Sequence, residues 1–124
     1  MTDSDFSSLL PLPPAQLHIL LALADGQKHG YAIMTEVEAI TDGSVTMGPG
    51  TLYGAIKRMI LAGLIAEADE RPDPELDDQR RRYYRLTGIG VRALDSEIAR
   101  LERLARAGRQ RRAATRRGAE GEGS

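Results

Sequence analysis

The stretch from Gly48 to Ile65, GPGTLYGAIKRMILAGLI, restricts the fold of this chain more than any other. Pro49 suits a first helical turn, where its missing N–H leaves no bond unmade. Leu52, Ile56, Met59 and Ile60 then recur at helical spacing as one apolar stripe. The opposite side carries Gly50, Gly54, Lys57 and Arg58, so it is cationic and bare at two positions one turn apart. Glycine inside a helix costs about 1 kcal/mol against alanine. Gly54 therefore needs an offsetting gain, and close approach of another backbone is one. Gly63 stops the helix. A short helix with bare backbone and positive charge opposite its core stripe suits the major groove of a DNA duplex. A merely solvated amphipathic helix carries similar charges, so the surrounding chain must decide. Gly48-Pro49-Gly50-Thr51 is no phosphate loop, because it lacks the Gly-Lys-Ser/Thr ending and follows no strand.

On the N-terminal side, Pro13 and Pro14 open a helix with Leu17, Leu20, Leu21 and Ala24 at 3-4 spacing and Ile19 and Leu23 beside them, and Asp25-Gly26 ends it. His18 is expected on its surface, since a lone His without a second ligand makes no metal site. A second helix is expected over His29 to Ile40, with Tyr31, Ala32, Ile33, Val37 and Ile40 buried. His29 and Gly30 stand at its N-terminus, which can attract phosphate; a plain capping role suits His29 equally. The turn cluster Thr41-Asp42-Gly43-Ser44 separates this helix from the Gly48 helix. Helix, turn, helix, with the second bearing the cationic face, is a helix-turn-helix.

After Gly63, Leu64 to Asp69 alternates weakly as a strand. Residues 71–79 hold two prolines and many acids and read as a loop, and Arg80 to Leu86 alternates again. Two short strands around a loop form a β-hairpin wing. Thr87 is positioned as an N-cap for a last helix. In it Val91, Leu94, Ile98, Leu101 and Ala105 follow a coiled-coil-like spacing with Leu104 beside the seam. The charged residues of this helix, Glu97 and Arg100 among them, are expected on a solvated face.

GTLYGAIKRMILAGLI, the acidic loop and then RRRYYRLTGIG, with HGYAI in the second helix, resemble the PadR family of bacterial winged-helix transcriptional regulators over residues 13–105. The resemblance implies a homodimeric DNA-binding repressor that leaves its operator when a small effector or another signal arrives, and it implies that the C-terminal helix is the dimerisation element. Gly54 departs from the family, standing where relatives often carry Pro. No Trp is present to sandwich a planar ligand at the dimer centre, so an effector pocket would be aliphatic or lined by Met and Tyr of the DNA-binding domain.

The expected fold is mainly α with a small β-hairpin. It comprises an N-terminal arm over 1–12 that frays or packs, a winged helix-turn-helix domain over 13–87, a dimerisation helix over 88–107 and a disordered basic tail over 108–124. The expected DNA-binding residues are His29, Tyr31, Gly50, Thr51, Tyr53, Gly54, Lys57, Arg58, Arg80, Arg81 and Arg82. Those expected at the dimer seam are Val91, Leu94, Ile98, Leu101, Leu104 and Ala105. Expected partners are double-stranded DNA, a second copy of the chain and a small-molecule effector. The alternative is a dimeric winged-helix module that binds a protein or small ligand with little DNA affinity.

Net charge of −1 hides an asymmetry that bears on this choice. Residues 1–56 hold one cation, Lys28, and six acids, whereas residues 57–124 hold sixteen cations and twelve acids. No cysteine is present, so thiolate chemistry and disulfides are excluded. Neither catalytic geometry, metal ligation nor a cofactor motif is legible. Acids in a Pro-containing loop lack the held geometry that proton transfer needs. With no signal-like or membrane-spanning run, a cytoplasmic protein is expected.

Overall fold

The computed structural model describes residues 3–68 and 82–122, with side chains described for 6–68 and 82–118. A 3-10 helix, Asp3–Leu9, precedes α1 (Pro14–Ala22). The two-residue strand β1 (Lys28–His29) leads into α2 (Gly30–Ile40) and α3 (Pro49–Leu61). Strands β2 (Ile65–Glu67) and β3 (Tyr83–Leu86) follow, and α4 (Gly88–Glu122) closes the chain. This is a winged helix-turn-helix with a long C-terminal helix.

α1 is apolar on nearly every side because α2, α3 and α4 all pack against it. Ile19, Leu20 and Ala22, with Leu23 just after it, form its buried side; Leu17 and Leu21 of the expected stripe are half-buried and Ala24 is exposed. His18 is half-buried rather than on the surface, and its Nδ1 has no hydrogen-bond partner among the described residues. In α2 the core takes Gly30, Ile33 and Val37, while Tyr31 and Ile40 face outward. Thr41 organises the turn that follows: its hydroxyl accepts from the Val45 N–H at 3.1 Å, and its carbonyl accepts from the Ser44 hydroxyl at 2.8 Å.

α3 begins and ends where Pro49 and Gly63 place it. Gly63 adopts φ +81°, its N–H donates to the Ile60 carbonyl, and the Leu64 N–H donates to the Met59 carbonyl at 2.9 Å. This pair of bonds is a Schellman cap, and the left-handed residue in it favours glycine. Leu52, Ala55, Ile56 and Met59 enter the core, whereas Ile60, expected in the same stripe, is exposed.

The wing is more than the expected hairpin. β3 pairs antiparallel with β2 (Ile65 with Leu86, Glu67 with Tyr84) and on its other side with β1 (Lys28 with Tyr84, His29 with Tyr83). The resulting three-stranded sheet, ordered β1-β3-β2, ties the wing to the N-terminus of α2. Two residues are too few for alternation to announce β1.

The N-terminal arm packs on the domain. Phe6, Leu9 and Leu10 lie against the core, Leu12 is buried, and the Leu12 N–H donates to Glu97 Oε2 at 3.0 Å. Glu97 is therefore not on a solvated face; it is fully buried. Arg100 holds it bidentately, Nε to Oε1 at 2.7 Å and Nη2 to Oε2 at 3.0 Å. The Arg100 guanidinium holds the Glu97 carboxyl below its ordinary value near 4.5, and the Leu12 N–H adds to the effect against the opposing cost of burial.

α4 does not stop at residue 107 but continues to Glu122, through the segment expected to be disordered. Lack of an apolar period removes a packing face, not helix propensity, and Ala, Arg, Gln and Glu are all good helix formers.

The start of α4 is held against the end of α3. The Thr87 hydroxyl accepts from the Gly90 N–H at 3.0 Å and caps the helix, while it donates toward the Gly63 and Leu64 carbonyls. A Cβ on Gly90 would sit 2.0 Å from the Leu64 carbonyl oxygen. Gly90→Ala should accordingly destabilise the fold by about 2–4 kcal/mol, as read by urea denaturation. Below the ordinary carboxylate range the protein should lose stability, because a carboxyl whose folded value is depressed gives stability above its unfolded value and loses it as pH falls. Glu97→Gln should flatten that acid limb in thermal unfolding measured between pH 3 and pH 7.

Candidate nucleic-acid interface

α3 turns one face away from the core. Gly50, Thr51, Lys57 and Arg58 are exposed on it, and Gly54 is half-exposed. A Cβ on Gly50 would meet nothing within 4 Å, and one on Gly54 would meet only the Arg58 guanidinium at 3.6 Å, an ordinary contact. Neither glycine is required by packing among the described residues, although glycine weakens a helix. Arg58 lies over Gly54, so the bare patch and the positive charge form one surface.

Beside that face stands the N-terminus of α2. His29 is its N-cap, in an extended conformation, and its Nδ1 accepts from the Ala32 N–H at 3.2 Å. A neutral ring that accepts at Nδ1 carries its proton on Nε2, leaving that atom as the outward donor. The ring stacks on Tyr31 at 6.5 Å between centroids and meets the edge of Tyr83 at 5.5 Å. Tyr31 is 69% exposed. Tyr53 crosses from α3 to the same point: a Cβ on Gly30 would fall 2.3 Å from its hydroxyl oxygen. A larger residue at the first position of α2 would have to push the Tyr53 ring aside.

On the wing side, Arg82 Nε lies 3.4 Å from Glu67 Oε1, an ion pair that bridges β3 and β2. Arg80 and Arg81 lie outside the described residues, as do the acids Asp73, Glu75, Asp77 and Asp78. Between α3 and the wing is an open groove of about 270 Å³, lined by Tyr53, Lys57, Ile60, Leu61, Arg82 and Tyr84 among others. Burial raises the Tyr84 hydroxyl above its ordinary value of 10.0, so it stays protonated.

The structure thus brings His29, Tyr31, Tyr53, Gly50, Thr51, Gly54, Lys57, Arg58 and Arg82 to the ends of α2, α3 and the wing. Tyr83 belongs with them and is absent from the residues expected there. A signal for it exists, because alternation puts Tyr83 on the same outward face as Arg81 and Arg85. Among the described residues no group of three or more His, Cys, Asp or Glu could hold a metal ion. No helix among them is long and apolar enough to cross a membrane.

The expected seam residues of α4 divide. Leu94 is 5% exposed and belongs to the core of its own domain, which removes it from the seam. Val91, Ile98, Leu101, Leu104 and Ala105 are exposed, with Leu104 at 56%. Leu94 fits the seam spacing only because the core face and the outward face adjoin on this helix.

The arrangement defines a winged helix-turn-helix of the kind found in transcription regulators. Residues 19–96 match the PadR-like family of transcriptional regulators, and the chain belongs to that family. A 37.1 kDa protein of transposon TN4556 from Streptomyces fradiae is 37% identical over 90 residues, which cover 73% of this chain. The match spans about a quarter (24%) of that relative's length. A PadR family transcription regulator from Clostridium difficile has the same fold at 24% identity and a TM-score of 0.63, the match covering 79% of this chain and 97% of that one. Bacillus subtilis PadR, solved in complex with operator DNA, is similar at 20% identity and a TM-score of 0.59, over 71% of this chain and 48% of that one.

Val91, Ile98, Leu101 and Ala105 line up as an exposed row, with Leu104 beside it, that a second α4 can cover. Leu101→Asp with Leu104→Asp should yield monomers by light scattering with a native circular dichroism spectrum, because neither residue is in the core. A dimer that survives both changes would remove this row from the subunit interface.

Proposed function

We propose that the chain is a homodimeric repressor that binds a palindromic operator through α3 and the wing and is released by a small molecule or another signal. The observation that carries this reading is the pair Gly50 and Gly54. They lie on an outward cationic helix face, and among the described residues a side chain at either would meet nothing but the Arg58 guanidinium beside Gly54. A cost to folding with no internal return is what a close external backbone would offset. The operator complex solved for Bacillus subtilis PadR supports the assignment, since that chain has the same fold.

In this reading Gly50, Thr51 and Gly54 let α3 enter the major groove, and Lys57 and Arg58 reach phosphates or guanine edges. His29, through Nε2–H, and Tyr31 meet the backbone beside the groove. Tyr53 holds the α2 N-terminus in place for them. Arg80, Arg81 and Arg82 approach the neighbouring minor groove or its phosphates. Two copies related by a two-fold axis place their α3 helices in successive major grooves, about 34 Å apart. A signal has somewhere to act: a small molecule in the groove between α3 and the wing would lie beside Lys57 and Arg82 and compete with DNA.

A second reading, a dimeric module for a protein or small ligand, is favoured by the six acids and single cation of residues 1–56. The two separate by salt dependence and by the glycines. Gly54→Ala should raise stability by about 0.5–1 kcal/mol and yet weaken operator binding in fluorescence anisotropy. Lys57→Ala with Arg58→Ala should lower the slope of log K against log salt by about 0.9 for each phosphate left without its cation. Unchanged binding in both variants would turn the assignment toward the partner-binding module.

A further inference from the structure

The long helix α4 changes character along its length. Up to Glu102 it carries acids and most of the outward apolar row, which ends at Leu104 and Ala105; between Glu102 and Glu120 it carries seven arginines, from Arg103 to Arg117, and no acid. Thirty-five residues at 1.5 Å each make it about 52 Å long. Beyond Glu97 none of its described residues is buried, so the arginine segment runs clear of the domain core.

The position of the arginines around the helix matters as much as their number. Continuing Ile98, Leu101 and Ala105 by steps of three and four gives Gly108, Arg109, Arg112 and Arg116. Leu104, Ala105, Gly108, Arg109, Arg112 and Arg116 do share one shallow surface. The row that is apolar where a second α4 would cover it becomes cationic further on. Two copies paired in parallel along that row would bring arginine against arginine, with no carboxylate among the described residues of the segment to relieve them. In that pairing the contact ends near Ala105. Beyond it each helix presents a stripe in which Arg106, Arg109, Arg112 and Arg116 follow one another at spacings of three and four and repel. Only an extended anion complements a stripe of that length, and arginine is the side chain best matched to phosphate oxygens.

We propose that the segment Arg109–Arg117 of α4 is a second nucleic-acid contact, separate from the winged helix, which binds the phosphate backbone of the duplex flanking the recognised site. The inference rests on the operator reading above and adds a sequence-independent contact to it.

Fluorescence anisotropy on the full-length protein tests it. Arg109→Gln, Arg112→Gln and Arg116→Gln are combined, and wild type and variant are titrated with the selected site alone and with the same site lengthened by about fifteen base pairs at each end, ~51 Å at 3.4 Å per pair. The wild type should bind the longer duplex about tenfold more tightly than the short one, and the variant should not. On the longer duplex the variant's salt slope should be lower by about 0.9 for each phosphate that an arginine no longer neutralises. On the short duplex the two proteins should agree, and light scattering should report the same oligomer. A variant that follows the wild type on both duplexes overturns this inference and leaves the operator reading standing. Loss of the dimer in the variant overturns it too, since the arginines would then face the second copy. Displacement of the longer duplex by poly-glutamate of equal charge would replace DNA by any polyanion and likewise overturn it. No salt-sensitive binding of the wild type to either duplex overturns both readings together.

Discussion

The Leu64 carbonyl is the point on which the molecule turns. It accepts from the Thr87 backbone N–H at 3.1 Å and lies within reach of the Thr87 hydroxyl, directly under Gly90. One peptide group thereby joins the end of α3, the return strand of the wing and the first turn of α4. The angle between the cationic face of α3 and the outward row of α4 is set there, because no side chain intervenes at Gly90 to spread the two backbones. Any geometry in which two recognition helices address one duplex inherits its precision from this junction.

A second fastening, Glu97, works from the opposite direction. A buried carboxylate is expensive unless it is paired and its lone pairs are used. Here the bidentate Arg100 and the Leu12 N–H supply both. The arm before α1 is thus drawn onto α4, so the helix that bears the outward apolar row is held at its base by the sheet junction and further along by the N-terminal segment.

Much of this is legible in residues 13–87. Pro49 and Gly63 bracket α3 because each acts through its own backbone, which no tertiary context can change. The bare cationic face is legible for the same reason, as glycine and charge are properties of single positions. What the sequence hides depends on partners distant in the chain. β1 exists because Tyr83 and Tyr84 lie beside Lys28 and His29, not because of any local pattern. Glu97 resembles a solvated helix acid until the Leu12 N–H is brought 85 residues back to it. Leu94 satisfies two periodicities, and only the packed structure assigns it inward. The continuation of α4 is hidden for another reason: an apolar stripe reports a packing face, and a helix that runs clear of the core has none to report.

The division of α4 into an inward and an outward side has a consequence for how such regulators multiply. Ala93, Leu94 and Glu97 belong to the fold, and their replacement endangers the domain. Val91, Ile98, Leu101 and Leu104 carry no such burden and are free to drift after gene duplication. If copies pair along that row, as proposed, exchange of a few outward side chains is enough to insulate sister proteins in one cell from one another while the domain core stays unchanged, since mismatched rows pack poorly and matched ones do not.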